Sequence, residues 1–249
     1  MQIIACYSNK GGVGKTATAV NLAYAFAASG KRTLLCDLDP QGASGFYFRV
    51  KPSKKLTEGR FFEDVERFTK AIRGSDYDNL DILPSNISFR EFDVFLSRMK
   101  NSRSRLKKAL KAVKADYDVV LLDCPPNIST LSENVLRAAQ AVIVPVIPTT
   151  LSQRTFEQLL EFFEENDLPK AKIHAFFSMV QTTKKLHGDT AKDMMKAWPK
   201  RFMRGQIPFA SDVERMGLTR APVLATAPNS AAGKAYQALF DEIEDRLGQ

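Results

Sequence analysis

The sequence has few cysteines and no long apolar run. Its three cysteines, Cys6, Cys36 and Cys124, fall on or beside predicted core strands, and no two of them form a C-x-x-C pair. Buried thiols are therefore favoured over a disulfide or a metal site. No apolar stretch approaches the roughly 20 residues that a membrane span needs, and the first residues have the pattern of a strand rather than of a signal peptide. We expect a cytoplasmic protein with no membrane partner.

Acidic residues are too few to balance the basic ones. The chain has 36 lysines and arginines against 28 aspartates and glutamates, which gives a net charge of +8. Residues 98–114 contain no acid, and bases outnumber acids across residues 184–204. This surplus favours an acidic partner, either nucleic acid or anionic lipid, and charge alone does not choose between them.

No internal repeat, low-complexity tract or linker divides the chain, so we expect a single domain over residues 1–249. Apolar strand-like runs alternate with helical periodicity, which predicts an α/β fold: a mostly parallel, doubly wound sheet with helices on both faces. The predicted strands cover residues 2–8, 32–37, 80–84, 117–123, 141–146 and 172–179. The predicted helices cover residues 16–29, 61–72, 88–114 with a break, 129–138, 152–165, 187–197 and 231–247, and the expected mobile loop covers residues 50–60.

A glycine-rich loop, "SNKGGVGKTATA" over residues 8–19, joins the first predicted strand to the first predicted helix. In this context the loop N–H groups and the positive end of the helix dipole converge on one point and favour a nucleotide phosphate there. Lys15 then reaches the β- and γ-phosphates, and the Thr16 hydroxyl is a Mg²⁺ ligand. Asn9 replaces the first glycine of the usual P-loop pattern, and this departure admits a second lysine, Lys10. The expected nucleotide contacts are Gly11, Gly12, Val13, Gly14, Lys15, Thr16 and Ala17.

Three aspartates follow predicted strands at one edge of the sheet. The stretch "DLDPQG" puts Asp37 and Asp39 on the same side of an extended segment, and Asp123 ends the apolar run "DVVLLD". After such a run in a P-loop protein, Asp123 matches the Walker B carboxylate, which holds Mg²⁺ through water. Asp39 before Pro40 is also typical of a simple turn, and a carboxylate that ends a strand often only caps the next segment of the chain.

Together, "KGGVGKT", "LLCDLDPQGASG" and "YDVVLLDCPPN" resemble the deviant Walker A group of P-loop ATPases, the ParA/MinD family. The three motifs stand in the order and spacing of that family. The resemblance implies a P-loop NTPase fold, ATP and Mg²⁺ as cofactors, and Mg²⁺-dependent hydrolysis of ATP to ADP and phosphate.

The resemblance also implies roles for single residues. The lysine at the place of Lys10 crosses a dimer interface to the nucleotide of the other subunit, and Lys15 and Asp39 complete the catalytic set, with Asp39 acting on the hydrolytic water. Asp37 is implied to lie near Mg²⁺, and Pro208 to lie where the base stacks. Members usually carry a run of threonines after the P-loop lysine, which Ala17 interrupts here.

The first of three interpretations is a ParA-type ATPase that positions or segregates a plasmid, a chromosome or a protein cluster. ATP would form a sandwich dimer, the dimer would bind DNA without sequence preference and associate with the nucleoid, and a ParB-like or adaptor partner would stimulate hydrolysis. For any single basic residue a solvated surface is the simpler explanation. The candidate DNA-binding residues are Lys196, Lys200, Arg201, Arg204, Arg215 and Arg220.

The other two interpretations find less support in the sequence. A MinD-like ATPase of the membrane surface would end in an amphipathic helix with basic flanks, whereas acids line the polar side of residues 231–247. Packing onto the core explains that apolar stripe better. An iron–sulfur carrier would need cysteines that two subunits present to one cluster, and Cys124 is the one candidate.

Overall fold

The computed structural model describes residues 1–248, which form helical layers on both faces of one eight-stranded sheet. The strand order is β3-β4-β2-β5-β1-β6-β7-β8, and every neighbouring pair is parallel except β3 with β4. The predicted α/β class with a mostly parallel sheet is therefore confirmed. The strands are β1 (Gln2–Cys6), β2 (Thr33–Asp37), β3 (Arg73–Gly74), β4 (Leu80–Leu83), β5 (Val119–Asp123), β6 (Ala141–Val146), β7 (Ile173–Val180) and β8 (Phe202–Pro208).

Twelve α-helices are found in the described part of the chain, with short 3₁₀ turns at Ile87–Glu91, Ser102–Ser104, Lys111–Val113 and Lys170–Lys172. The helices are α1 (Lys15–Ala28), α2 (Ala43–Tyr47), α3 (Glu58–Glu63), α4 (Val65–Lys70), α5 (Phe92–Ser97), α6 (Arg105–Leu110), α7 (Thr130–Ala138), α8 (Thr150–Glu165), α9 (Lys185–Ala197), α10 (Ser211–Thr219), α11 (Val223–Thr226) and α12 (Ala231–Leu247).

The hydrophobic core lies on both faces of the sheet. Helices α1, α10, α11 and α12 cover one face, and α3 to α9 cover the other. Strands β2, β5 and β6 are buried at every position, which explains why they are continuous apolar runs in the sequence. The apolar stripe of α12, including Tyr236, Leu239 and Ile243, is buried in this core, as its pattern predicted. Among residues 1–248, no helix has the length and apolar character that crossing a membrane requires.

Several element predictions were wrong. Strands β3 and β8 and helices α2, α10 and α11 were not predicted; β8 is an edge strand whose Arg204 and Gln206 are exposed, so its sequence lacks the apolar run of a central strand. The helical pattern predicted over 88–114 with a break is interrupted as expected, at Asn101 where φ is 56°, but it forms more and shorter segments than predicted. The helix predicted over 61–72 is divided at Asp64, whose side chain accepts a hydrogen bond from the Arg67 N–H and begins α4.

The loop predicted over residues 50–60 is shorter than expected. Residues 50–57 have no helix or strand, but α3 begins at Glu58, and Leu56 is buried among the phenylalanines of α3 to α5. That residues 1–249 form a single domain stays a prediction.

Candidate functional site

The P-loop and the predicted aspartates meet at the carboxyl edge of the sheet. In the parallel register Cys6, the last residue of β1, lies opposite Asp123 of β5, and Asp123 lies opposite Asp37 of β2. The three strands therefore end at one level. In open α/β sheets this edge is where ligands bind, because the loops after neighbouring strands surround one crevice.

The backbone of the P-loop depends on two glycines. Gly12 and Gly14 have φ of 69° and 93°, in the left-handed region that residues with a side chain rarely adopt. At Gly14 a Cβ would also lie 3.1 Å from the Ser178 Oγ. Helix α1 follows at once and begins at Lys15. The loop N–H groups and the helix N-terminus are thus held where an anion would be stabilised.

Lys15 is a buried cation at this point. Its side chain is only 7% exposed, and its Nζ donates a hydrogen bond to the Lys10 carbonyl oxygen at 2.9 Å. Burial lowers the pKa of Lys15, and the nearby Asp123 carboxylate opposes that shift. An ammonium group with this little hydration interacts strongly with a phosphate oxygen.

Asp37 and Asp123 are both fully buried. The Gly45 and Asp39 N–H groups each donate to the Asp37 carboxylate, at 3.2 Å. The Ser44 hydroxyl donates to Oδ2 of Asp123 at 2.8 Å, whereas Oδ1 of Asp123 is buried with no hydrogen-bond partner. A buried carboxylate oxygen without a partner is costly unless a cation or a bound water satisfies it.

The electrostatics of this pair favour a bound cation. Burial, and then repulsion from Asp123, raises the pKa of Asp37 well above its usual range. Burial also raises the pKa of Asp123 to about 6, although hydrogen bonds from Ser44 and Thr16 oppose the shift. Within residues 1–248 no group of three His, Cys, Asp or Glu side chains is arranged to hold a metal ion by itself. Mg²⁺ does not need such a group, because it commonly binds through one or two carboxylates together with phosphate oxygens and waters.

Asp39 lies in the turn after β2 and is half-buried. Its Oδ1 accepts a hydrogen bond from the Gln41 N–H at 3.0 Å, so the turn role that its sequence position favoured is present. The same turn keeps the carboxylate at the carboxyl edge, beside Asp37. Its role toward water stays a prediction.

The side chain of Lys10 is hydrogen-bonded to a residue of α8. Its Nζ donates to the Ser152 Oγ at 3.0 Å, near the start of α8. Ser152 is buried, and its hydroxyl also lies 3.0 Å from Oγ1 of Thr149, the residue that caps α8. In this arrangement the side chain of Lys10 is held by its own subunit.

Pro208 lines a mostly apolar cavity of about 80 Å³ beside the P-loop. Gly14, Met179, Phe209 and Val213 line the same cavity. That the base of the nucleotide stacks at Pro208 stays a prediction. Sequence reasoning missed the other side chains of this cavity. Met179 has a φ of 54°, which the sequence does not reveal, and Val213 belongs to the unpredicted helix α10.

The six candidate DNA-binding residues lie in two groups along the chain, and their binding to DNA stays a prediction. Four of them lie between the last turn of α9 and the third residue of β8, and the other two lie on or directly after α10. The first group is Lys196, Lys200, Arg201 and Arg204, and the second is Arg215 and Arg220. Arg215 is exposed, whereas Arg220 is half-buried, and its Nε donates to the Phe46 carbonyl oxygen at 2.9 Å.

The three cysteines are buried and unpaired in residues 1–248, as predicted. Burial raises the pKa of the Cys124 thiol well above its usual range, which keeps it protonated. Cys124 is only 2% exposed, so it does not lie on a surface where two subunits would present cysteines to one cluster.

The sheet and the loop together place the chain among the P-loop nucleoside triphosphatases. The family model described as "AAA domain" matches residues 1–173. The chain belongs to that family and, within it, to the ParA/MinD group of P-loop ATPases that the three motifs predicted.

Curated relatives have names from partitioning, division and sporulation. The sporulation initiation inhibitor protein Soj of Bacillus subtilis is 38% identical over 147 residues, which are 58% of this chain and 58% of Soj. The cell division protein PomZ of Myxococcus xanthus is 32% identical over 96% of this chain and 76% of PomZ. The chromosome partitioning protein ParA of Caulobacter vibrioides is 29% identical over 99% of this chain and 95% of ParA.

A solved structure agrees with the fold over the whole length. Cobyrinic acid a,c-diamide synthase from Mycobacterium smegmatis, with bound ADP and magnesium, superposes with a TM-score of 0.82 at 26% identity. The match covers 100% of this chain and 97% of that one.

Proposed function

We propose that the chain is a Mg²⁺-dependent ATPase that positions or segregates a cargo by cycling between a monomer and an ATP-bound dimer. The observation that carries this proposal is the apolar character of the nucleotide face. Six large apolar side chains there are at least 45% exposed. Each follows the carboxyl end of a different strand, and they are Phe46, Ile87, Ile128, Leu151, Leu186 and Phe209.

Exposed apolar side chains that surround a ligand site favour a face that another protein surface covers. A second copy fits the geometry, because the same face carries Lys10 near its rim. In the dimer the Lys10 ammonium would leave Ser152 and reach the nucleotide of the other subunit, which makes association depend on ATP. Soj, PomZ and ParA, the relatives of this chain, support a positioning role.

The residues of the crevice fit hydrolysis of ATP. The P-loop N–H groups and the Lys15 ammonium would bind the β- and γ-phosphates, and Thr16, Asp123 and Asp37 would hold Mg²⁺. Mg²⁺ supplies charge neutralisation on the phosphate oxygens when it is bound. Asp39 would orient the attacking water, with its carboxylate held in place by the Gln41 N–H.

The ATP-bound dimer would bind DNA without sequence preference, and this binding would keep the dimer on the nucleoid. A dimer would present each group of basic residues twice. Once one copy has bound DNA, the other copy is at a high effective concentration near the same DNA and binds it more readily. A ParB-like or adaptor partner would stimulate hydrolysis and release the dimer. The MinD-like alternative would need a free amphipathic helix, whereas the apolar stripe of α12 is buried in the core.

The test measures assembly and DNA binding on a stalled variant. Asp39→Ala should form a dimer with ATP and Mg²⁺ in size-exclusion chromatography with light scattering, whereas Lys15→Ala, the matched control, should stay monomeric. The stalled dimer is then titrated by anisotropy against unrelated DNA duplexes and, separately, against anionic liposomes. Equal binding to all duplexes supports the proposal. Dimers that form equally well without ATP, or binding to liposomes but not to DNA, would contradict it.

A further inference from the structure

Helix α2 is a short link between the metal-site carboxylates and α10. At its start, the Ser44 hydroxyl donates to Asp123 and the Gly45 N–H donates to Asp37. The next residue, Phe46, accepts a hydrogen bond from the Arg220 Nε through its carbonyl oxygen at 2.9 Å. Three consecutive residues of one helix thus contact both buried carboxylates on one side and Arg220 on the other.

Arg220 makes a second contact with the same residue. Its guanidinium lies over the Phe46 ring, 4.6 Å from the ring centre. Arg220 itself has a φ of 49°, a conformation that costs free energy for a residue with a side chain and that persists where surrounding contacts hold it. The two contacts to Phe46 are of that kind.

A second arginine ties the same two elements together. Arg49, two residues after α2, donates to the Thr219 carbonyl oxygen at 2.9 Å and pairs with Asp76 at 2.8 Å. The carbonyl groups at the C-terminus of a helix have no partner within the helix, so an arginine that binds one of them also interacts favourably with the helix dipole. The end of α10 is therefore held at two points, one in α2 and one in the residues directly after it.

The beginning of α10 lies at the other end of the nucleotide site. Val213 and Glu214, in its first turns, line the cavity beside Gly14 in which the base would lie. One helix therefore contacts the base cavity at its start and, through Arg220, the element that holds Asp37 and Asp123.

We infer that Arg220 is a positioning residue for the magnesium site and not a DNA contact. This inference rests on the proposed function only in that ATP and Mg²⁺ occupy the crevice. Arg220 holds the Phe46 carbonyl and so fixes the positions of Ser44 and Gly45 in α2. Ser44 and Gly45 in turn hold the Asp123 and Asp37 carboxylates through their hydrogen bonds. Loss of the guanidinium weakens the contribution of Mg²⁺ to nucleotide binding, although no atom of Arg220 touches the metal or the nucleotide.

The experiment is titration calorimetry of ATP without DNA, once with Mg²⁺ and once with EDTA. In Arg220→Ala the gain in ATP affinity that Mg²⁺ provides should fall by about tenfold, which is the size expected for one charge-assisted hydrogen bond and one cation–π contact. Affinity in EDTA should not change. Arg220→Lys should recover most of the gain, because an ammonium group can still donate to the carbonyl and lie over the ring. Leu218→Ala is the control on the same helix, since Leu218 is 85% exposed.

A wild-type Mg²⁺ contribution in Arg220→Ala would overturn the inference, and so would an equal loss of affinity in EDTA. If Arg220→Ala does not fold, Arg220→Gln carries the same test, because it keeps a neutral donor and loses the charge; it should show an intermediate loss, and no loss would overturn the inference. A wild-type protein that binds no ATP at all would instead refute the proposed function.

Discussion

Replacing Asp123 by asparagine is expected to stabilise the protein while removing a proposed magnesium ligand. Asp123 is fully buried, and burial raises its pKa from 3.8 to about 6. Between these two pH values the folded protein binds more protons than the unfolded chain, so the free energy of unfolding falls as the pH rises. The loss of stability caused by the buried charge is complete above pH 6. It disappears as the pH falls toward 3.8, the pKa in the unfolded chain.

The size of the effect is set by the shift. A difference of about two pKa units corresponds to about 3 kcal/mol at neutral pH, and roughly half of that at pH 5. The asparagine side chain in the variant Asp123→Asn would keep an acceptor for the Ser44 hydroxyl and carry no charge. It would also relieve the repulsion that raises the pKa of Asp37. We therefore expect Asp123→Asn to unfold at higher urea concentration than wild type at pH 7.5, with a smaller difference at pH 5.

The assay is urea unfolding of both proteins at the two pH values, in EDTA and without nucleotide. Asp118→Asn is a control of opposite sign, because the Arg32 guanidinium holds the pKa of Asp118 at about 2. Its contribution is present above pH 3.8 and is lost as the pH falls toward 2, so removing that carboxylate should lower stability at pH 7.5. A variant Asp123→Asn that is no more stable than wild type at pH 7.5, or that gains equally at pH 5, would refute the reasoning.

Three further predictions concern the nucleotide cycle. Lys15→Ala should lose ATP binding in calorimetry, because the phosphate charge then lacks its buried counter-ion; wild-type affinity would contradict the P-loop assignment. Asp39→Ala should bind ATP and dimerise but release phosphate far more slowly than wild type in a coupled assay, since the water is not oriented, and an unchanged rate would remove its role. DNA affinity of the stalled dimer should fall with salt at a log–log slope of about −0.9 per neutralised phosphate, and Arg215→Ala should flatten that slope while Arg220→Ala, with ATP saturating, should not.

The elements that could be predicted from sequence are those whose side chains lie wholly in the core. Strands β2, β5 and β6 have no exposed position, so their apolar runs identified them. Strand β8 has a sheet neighbour on one side only, and helix α10 buries Met216 alone, so neither has a strong pattern.

The residues of the site also differ in how far the sequence predicts them. The P-loop and the three aspartates belong to contiguous motifs. The hydrogen bond from Ser44 to Asp123 depends on the register of β2 against β5, which no local pattern encodes. The two groups of basic residues are separated along the chain by most of β8, which was not predicted.

The two lysines of the P-loop are connected through one atom. Lys15 gives one of its three N–H donors to the carbonyl oxygen of Lys10, which leaves two for phosphate oxygens. Whatever binds Lys15 therefore competes for, or polarises, the hydrogen bond that holds the backbone of Lys10. Under the proposed function, the Lys15 ammonium group binds the nucleotide of its own subunit. The same group also holds the backbone of Lys10, whose side chain would contact the nucleotide of the other subunit. In such a dimer, the position from which Lys10 of each subunit reaches across the interface would depend on the nucleotide bound in its own P-loop. Dimer formation would therefore depend on nucleotide in both subunits.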